Sequence, residues 1–236
     1  MICLVDERIS AKCERALLLR GFRVIKLPPS ESLSEAVASH PDMLTFCHGN
    51  KIIASADYCE RYPWVFTDIR ELSNNAEFLF TSDVFMKEYP RDAIFNALLA
   101  KEYILLKEDT VSKSVLEYAK QAGLTPVSVK QGYPACTALV FGGGAITSDR
   151  GMCDALSRCG LEVTLINNGD ILLPPYEYGF IGGASGVLGD KVYFLGDIMK
   201  HRDAERICEA IKRQNYTPVS LSDEPLADLG RIIFID

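Results

Sequence analysis

The chain has 236 residues, of which 48% are hydrophobic, which is enough to bury a large core, so we predict a single domain over residues 1–236. Its formal net charge of −7 leaves no broad cationic surface for phosphates, so neither nucleic acid nor an anionic membrane is expected as a partner. The first apolar stretch is interrupted by charges at positions 6–8, and no apolar run approaches the roughly 20 residues of a membrane span, so we expect a soluble, cytoplasmic protein.

Six short runs of β-branched or aromatic residues recur along the chain and predict buried strands. They cover residues 2–5, 52–55, 103–106, 145–148, 192–195 and 232–235. Their first residues are separated by 50, 51, 42, 47 and 40 positions. Such regular spacing indicates one repeated unit.

Amphipathic helices are predicted after most of these strands. They cover residues 11–20, 111–122, 151–159 and 204–213. Acidic residues that follow the strands are predicted to cap the helices, namely Asp6, Asp57, Asp109, Asp149 and Asp197. The helices are predicted to stop at Gly21, Gly123, Gly160 and Asn215, because these residue types tolerate a left-handed backbone.

A second strand is predicted after each helix, over residues 22–27, 124–129, 161–166 and 216–221. A third strand then turns into the next unit at Gly49-Asn50, Gly142 to Gly144 or Gly189-Asp190. The second copy is degenerate, because Pro63 is predicted to stop its helix and residues 78–80 to serve as its second strand. The unit is therefore strand, helix, strand, strand. If five units close into a ring, the two ends of the chain meet.

This repeat resembles the pentein fold, the five-bladed α/β propeller of guanidino-modifying enzymes, and most of all an uncharacterised bacterial family of that fold. The resemblance covers nearly all of the chain. It rests on the repeat and on the phrases His40-Pro41-Asp42-Met43, Gly132-Tyr133-Pro134-Ala135-Cys136 and Tyr178 to Gly186. It implies a five-bladed α/β propeller whose third strands surround a central axis.

Four of the units carry a chemically active residue where the third strand begins. These residues are Asp42, Asp92, Cys136 and Asp228. In a ring, matching positions face the same axis. Carboxylates can bind a guanidinium ion in a bidentate fork, a thiolate can attack its central carbon, and a histidine can transfer protons to the leaving amine.

Guanidino-modifying penteins use a cysteine, a histidine that begins a His-x-Asp phrase, and an acidic residue that holds the substrate. The resemblance therefore implies that Cys136, His40 and Asp42 are catalytic and that Asp92 and Asp228 bind substrate. In the enzymes the cysteine normally lies close to the C-terminus, whereas Cys136 lies in mid-chain. The usual Gly-Gly-Asp phrase is also absent, since Ala184 follows the two glycines.

The glycine-rich segment from Gly182 to Gly189 leads into a strand, so it cannot form a dinucleotide loop, which needs a helix. We interpret its glycines as points of close backbone approach beside a ligand. Gly182, Gly183 and Ser185 are accordingly assigned to substrate binding.

Each candidate also has a structural interpretation. A cysteine before an apolar strand often serves packing alone, a histidine before a proline at a turn needs no function, and aspartates can cap strand entrances. The chain has eight cysteines without a CxxC pair, and in a reducing cytosol most are expected to be buried hydrophobes. Cys47, His48 and Cys59 fit no zinc spacing with His40, so no metal is expected.

Two functions remain open from the sequence. The first is an enzyme, a hydrolase or amidinotransferase, that acts on C–N bonds of a small cationic guanidino or amidino compound and needs no cofactor. The second is a non-catalytic binding protein for a small ligand or a protein partner. In either case crowded carboxylates repel one another, so we expect at least one of Asp42 and Asp92 to have a raised pKa in the empty protein.

Overall fold

The computed structural model describes residues 1–73 and 75–236, which form strands and helices in the predicted alternation. The strands are β1 (Ile2–Asp6), β2 (Arg23–Leu27), β3 (Thr45–His48), β4 (Lys51–Ser55), β5 (Glu77–Thr81), β6 (Leu98–Ala100), β7 (Tyr103–Leu106), β8 (Thr125–Ser128), β9 (Ala138–Phe141), β10 (Gly144–Thr147), β11 (Glu162–Leu165), β12 (Ile171–Leu172), β13 (Ser185–Leu188), β14 (Lys191–Phe194), β15 (Thr217–Ser220), β16 (Leu226–Ala227) and β17 (Ile233–Ile235). The α-helices are α1 (Ala11–Leu19), α2 (Pro41–Leu44), α3 (Ala56–Arg61), α4 (Pro63–Leu72), α5 (Lys113–Gln121), α6 (Pro134–Thr137), α7 (Arg150–Arg158) and α8 (Ala204–Arg213). A short 3-10 helix spans Ile198–Lys200.

Five three-stranded sheets share one topology. Their strand orders are β17-β1-β2, β3-β4-β5, β6-β7-β8, β9-β10-β11 and β13-β14-β15. In each sheet the middle strand pairs antiparallel with the first strand named and parallel with the last. The helices between the parallel strands supply the crossover that parallel pairing requires. A sixth sheet contains β12 and β16 alone, and across the described residues the sheets do not close into a barrel.

The middle strands are buried at every position except the first residue of β4, β7 and β14, which explains why their sequences are mostly apolar without alternation. All five residues of β1 and all four residues of β10 are buried. The helices pack over the sheets with one apolar face, and α7 places Met152, Ala155 and Leu156 in a cluster with Leu98 and Leu105. Full burial of a leucine or methionine side chain stabilises the folded state by about 1.5 to 3 kcal/mol.

The helix C-termini predicted from the sequence agree closely with the structure, and the predicted N-terminal caps agree less closely. All four predicted stops have left-handed φ angles, between 63° and 85°. Asp149 caps α7, because its carboxylate accepts a hydrogen bond from the backbone N–H of Met152. Asp197 caps the 3-10 helix and not α8, since it accepts from Met199.

The predicted caps at Asp6, Asp57 and Asp109 were wrong. The residues at those N-cap positions are Ser10, Ser55 and Ser112. Asp6 and Asp109 lie too far before their helices, and Asp57 lies inside the first turn of α3. The hydroxyl groups of Ser10 and Ser112 accept backbone N–H bonds at the other two helices. Asp6 is instead fully buried and is bound by Arg8.

The second repeat also differs from its prediction. Pro63 ends α3 but begins α4, because proline fits the first helical position, where no backbone N–H is needed. The third strand predicted near residues 93–95 lies later, at β6. The last apolar run, β17, pairs antiparallel with β1, so it completes the first sheet and does not begin a sixth unit.

None of the helices among residues 1–73 and 75–236 combines the length and the apolar character that crossing a bilayer would require.

Candidate active site

Two four-residue helical turns carry the predicted nucleophile and its neighbours. The turn α2 begins at Pro41, directly after His40, and α6 begins at Pro134, two residues before Cys136. A proline at the first position favours a helical start, and each turn leads directly into the antiparallel strand of its sheet. The two turns therefore place His40, one residue before its proline, and Cys136, two residues after its proline, at the entrances of antiparallel strands in two different sheets.

His40, Cys136 and Asp228 come together although about 90 residues separate each from the next along the chain. One nitrogen, sulfur or oxygen atom of each lies within 4.8 Å of the other two. All three side chains are buried, and all three line a cavity of about 650 Å³, which Asp92 also lines.

The Cys136 thiol is held between two polar side chains. Its Sγ donates a hydrogen bond to Oδ2 of Asp42 at 2.9 Å and accepts one from Nδ2 of Asn96 at 3.2 Å. The amide of Asn96 is oriented in turn, because its Oδ1 accepts from the backbone N–H of Ala135 at 2.8 Å. Burial, together with the charges of Asp42 and Asp228, raises the pKa of the Cys136 thiol well above its ordinary value. The thiol is therefore protonated when the site is empty.

Asp42 belongs to a second, smaller cavity. It lines a space of about 170 Å³ together with the half-buried Arg231. Burial raises the pKa of Asp42 to about 6, although the thiol bond and the positive charge of Arg231 oppose that shift. Arg231 has a φ of 76°, a strained backbone conformation for a residue other than glycine. Asp42 therefore contacts the thiol from outside the larger cavity.

His40 is fully buried, and among the described residues neither ring nitrogen has a hydrogen-bond partner. Its Nε2 lies 3.8 Å from Oδ2 of Asp6, too far for a hydrogen bond. The Asp6 carboxylate is bound in bidentate fashion by Arg8, at 2.6 and 2.9 Å. Burial lowers the pKa of His40 to about 3, so the imidazole is neutral in the empty site.

The two buried carboxylates that line the larger cavity are partly satisfied. Asp228 accepts hydrogen bonds from the backbone N–H groups of Phe180 at 2.9 Å and Gly230 at 3.2 Å. Oδ2 of Asp92 accepts from the Tyr133 hydroxyl at 2.7 Å, while its Oδ1 has no partner among the described residues. Burial raises the pKa of Asp228 to about 7 and raises that of Asp92 as well. The predicted direction is present at both Asp42 and Asp92, but its cause is burial and not repulsion between carboxylates.

Gly182, Gly183 and Ser185 support the site without facing the larger cavity, as far as the described residues show. A Cβ atom at Gly183 would lie 1.8 Å from Oδ1 of Asp228, and one at Gly182 would lie 2.4 Å from the Ala135 carbonyl oxygen. The Ser185 hydroxyl donates to the Ile181 carbonyl at 2.8 Å. The close backbone approach predicted for the glycines is therefore present, and it is made to Asp228 and to the turn that carries Cys136.

Replacing Gly183 by alanine is expected to lower the free energy of unfolding by about 1 to 3 kcal/mol, the usual cost of overpacking. The backbone cannot easily move away, because the Gly183 N–H donates to the Cys136 carbonyl at 2.9 Å. Urea unfolding measures the change. The control is Gly151→Ala in the first turn of α7, where a Cβ atom meets nothing closer than 3.2 Å and alanine favours the helix. Equal stability of the two variants would contradict the expected crowding at Asp228.

His40, Cys136 and Asp228 could also hold a metal ion. They offer nitrogen, sulfur and oxygen atoms, a donor set that zinc accepts. The zinc site that the sequence excluded combined His40 with Cys47, His48 and Cys59, so it contained neither Cys136 nor Asp228. His48 makes a different contact, because its Nδ1 lies 3.0 Å from the Tyr118 hydroxyl. A zinc ion here would occupy both the thiol and the imidazole.

Four residues of the site were missed in the sequence: Asp6, Asn96, Tyr133 as the partner of Asp92, and Arg231. Asp6 carried a signal, because Arg8 follows it by two positions at the end of a buried strand. For Asn96 and Arg231 the only local signal is a polar residue close to an apolar strand.

Solved structures with a similar fold are guanidino-modifying enzymes. An amidinotransferase of the saxitoxin biosynthetic pathway from Microseira wollei has a TM-score of 0.57 and 10% identity, over 94% of this chain and 88% of that chain. A dimethylarginine dimethylaminohydrolase from Pseudomonas aeruginosa, in complex with citrulline, has a TM-score of 0.56 and 10% identity, over 94% and 92% of the two chains. An agmatine deiminase from C. jejuni has a TM-score of 0.55 and 8% identity, over 94% and 87%. These likenesses confirm the predicted pentein-type fold.

Sequence comparison adds a family but no activity. The model of a family of unknown function (DUF6873) matches residues 4–233. No curated protein matches the chain.

Proposed function

Because this chain belongs to the family of unknown function DUF6873 and has the fold of guanidino-modifying enzymes, we propose that it is a cysteine-dependent enzyme that acts on a C–N bond of a guanidino or amidino compound. The observation that carries the proposal is the convergence of Cys136, His40 and Asp228 in one cavity, which Asp92 also lines. We further propose that the five three-stranded sheets are the blades of a five-bladed propeller, formed by one domain over residues 1–236. All eight cysteines are free, which supports a reducing compartment such as the cytoplasm.

In the proposed reaction the guanidinium ion enters between Asp92 and Asp228. The Cys136 sulfur attacks the central carbon and His40 takes the thiol proton. A C–S bond forms, one C–N bond breaks, and His40 returns the proton to the departing amine. Attack of water on the resulting thioether-type intermediate releases a ureido product and the thiol, whereas attack of an acceptor amine transfers the amidino group.

The substrate supplies the charge that the empty site lacks. A unit positive charge about 4 Å from the sulfur favours the thiolate by about 4 kcal/mol at an effective dielectric constant of about 20. That is about three units of thiol pKa. The Asp42 carboxylate, at 2.9 Å, keeps the sulfur oriented but opposes its ionisation. A neutral compound cannot provide this effect, so the proposed chemistry requires a cationic substrate.

Turnover of a guanidino panel tests the proposal. We expect at least one of arginine, agmatine and creatine-like compounds, at millimolar concentration, to yield ammonia or an amine and a ureido product, or to donate its amidino group to an added amine. A chelator is included, because zinc would compete for Cys136 and His40. Failure of every compound to bind and to react would remove the guanidino assignment.

The raised pKa of the Cys136 thiol favours a second candidate, a non-catalytic binding protein for a small ligand. A protonated buried thiol is unreactive and packs as a small hydrophobe. Under this alternative the wild-type protein binds a member of the panel without converting it.

A further inference from the structure

The charged side chains that line the larger cavity are acidic. They are Asp92, Glu177 and Asp228, and no lysine or arginine from the described parts of the chain joins them. Arg231 lines the smaller cavity instead. Resting on the proposed function, we propose that the substrate is a guanidino compound whose far end carries a second cation, such as an ammonium group, and not a carboxylate or a phosphate.

The cavity is larger than a guanidinium group alone requires. Its volume of about 650 Å³ falls in the range of sites that enclose whole small molecules. Its polar groups divide into two sets. Asp92 and Asp228 are buried, and a carboxylate oxygen of Asp228 lies within 4.8 Å of the Cys136 sulfur, whereas Glu177 is exposed to solvent. A substrate held by the inner carboxylates therefore extends its other end toward Glu177.

Aromatic rings form much of the wall between these two sets. They are Tyr89, Tyr133, Tyr176, Tyr178 and Phe180. Tyr89 and Tyr133 pack at 5.5 Å between ring centroids, and Tyr178 and Phe180 pack edge to face at 6.4 Å. The faces of such rings attract cations through their quadrupoles. The same ring faces repel an anionic group, which would also lie close to Glu177 without a counter-charge.

One segment presents Glu177 and also contacts the inner site. It runs from Leu173 to Phe180 and is fixed by a bridge between Leu173 and Tyr176 and by a bond from the Gly179 N–H to the Ile171 carbonyl at 2.8 Å. At its end the Phe180 N–H donates to Asp228. The position of Glu177 relative to the inner carboxylate is thus set by the fold, so the two charges can recognise the two ends of one ligand.

Three guanidino compounds of similar length test the inference. Agmatine ends in an ammonium group, butylguanidine ends in a methyl group, and arginine carries a carboxylate beside its amine. We expect kcat/KM to fall in that order, with agmatine at least about 10-fold above arginine. Glu177→Lys should reduce the ratio of agmatine to arginine at least about 10-fold. Glu209→Lys, an exposed site on α8, makes the same change in net charge and should leave the ratio unaltered.

The outcomes separate this inference from the proposed function. If arginine is converted as fast as agmatine, or if Glu177→Lys does not change the ratio of the two kcat/KM values, the inference is overturned and the proposed enzyme activity stands. If agmatine binds in calorimetry in preference to arginine but no compound is converted, the inference stands and the catalytic proposal falls. If none of the three compounds binds, both are overturned.

Discussion

Replacing Cys136 by serine is expected to lower kcat for a guanidino substrate by at least about 10³-fold, because the sulfur is the proposed nucleophile and a hydroxyl ionises far less readily. Binding should change little, since the carboxylates that face the cavity remain. The effect should therefore appear in kcat and not in KM, as measured by release of ammonia or a ureido product.

A second buried cysteine provides the control for this experiment. Cys159 lies at the C-terminal end of α7 and is buried to a similar degree, but it packs in the cluster that contains Met152 and Leu156. Cys159→Ser should leave kcat within about twofold of the wild type. A Cys136→Ser protein that retained a tenth or more of the wild-type kcat would rule out the thiol as nucleophile.

Replacing Asp228 by asparagine is expected to weaken guanidinium binding and to remove most of its pH dependence. In the empty protein the pKa of Asp228 is raised to about 7, first by burial and then by the charges of Asp42 and Asp6. An entering cation favours the ionised carboxylate, so its pKa falls and a proton is released. Below pH 7 the proton competes with the ligand, and Kd should rise toward tenfold per pH unit. The variant also loses a hydrogen bond to a charged group, about 1.5 to 3 kcal/mol, or roughly 10- to 150-fold in Kd at pH 8.

Calorimetry in buffers of different ionisation enthalpy measures the proton release directly. Near pH 7 the wild type should release a proton on binding and Asp228→Asn should release markedly less. The matched control is Asp190→Asn, an exposed acid in the β13–β14 turn, which should behave as the wild type. Equal release by Asp228→Asn would assign the proton to another group, such as Asp42, whose pKa is about 6.

The same variant tests how the free energy of unfolding changes with pH. An acid whose folded pKa is raised from 3.8 to about 7 stabilises the folded state only while it is protonated. That contribution is lost as the pH rises through 7, on the order of 4 kcal/mol. His40 acts in the opposite direction, because its pKa is lowered to about 3 and its contribution is lost as the pH falls below 6.5. Both proteins contain His40, so its contribution cancels when their free energies of unfolding are subtracted. Asp228→Asn should therefore become the more stable protein above pH 7.

The middle strands and most helices could be predicted because local pattern alone determines them. The strand β7 was predicted at 103–106 and α8 at 204–213, and both have those bounds. Pro63 shows the limit of such patterns. A proline is compatible with the end of one helix and with the first residue of the next, and only the packing of Val65, Phe66 and Ile69 decides for a second helix.

The candidate site was predictable where a reactive residue precedes the antiparallel strand of a repeat, as Cys136 precedes β9 and Asp228 precedes β17. Asn96 has no counterpart in the other repeats, and its role depends on a thiol 40 positions away. Asp6 was assigned to a helix cap, which is the usual local role of an aspartate after a strand. Its proximity to His40, 34 positions later, arises only when α2 packs against β1. Contacts of this kind require tertiary structure.

The pairing of β1 with β17 has a consequence for the order in which the protein acquires its parts during synthesis. The first strand leaves the ribosome early but finds its antiparallel neighbour only after residue 235 has been made. At typical elongation rates of about 5 to 20 residues per second, that edge stays open for roughly 10 to 50 s. Asp228 and Arg231 immediately precede β17, so the nascent chain carries its thiol and imidazole long before it can hold a cation. The proposed site is therefore complete only after the last repeat has been translated, and until then the edge of β1 is an unpaired strand edge that could pair with another chain.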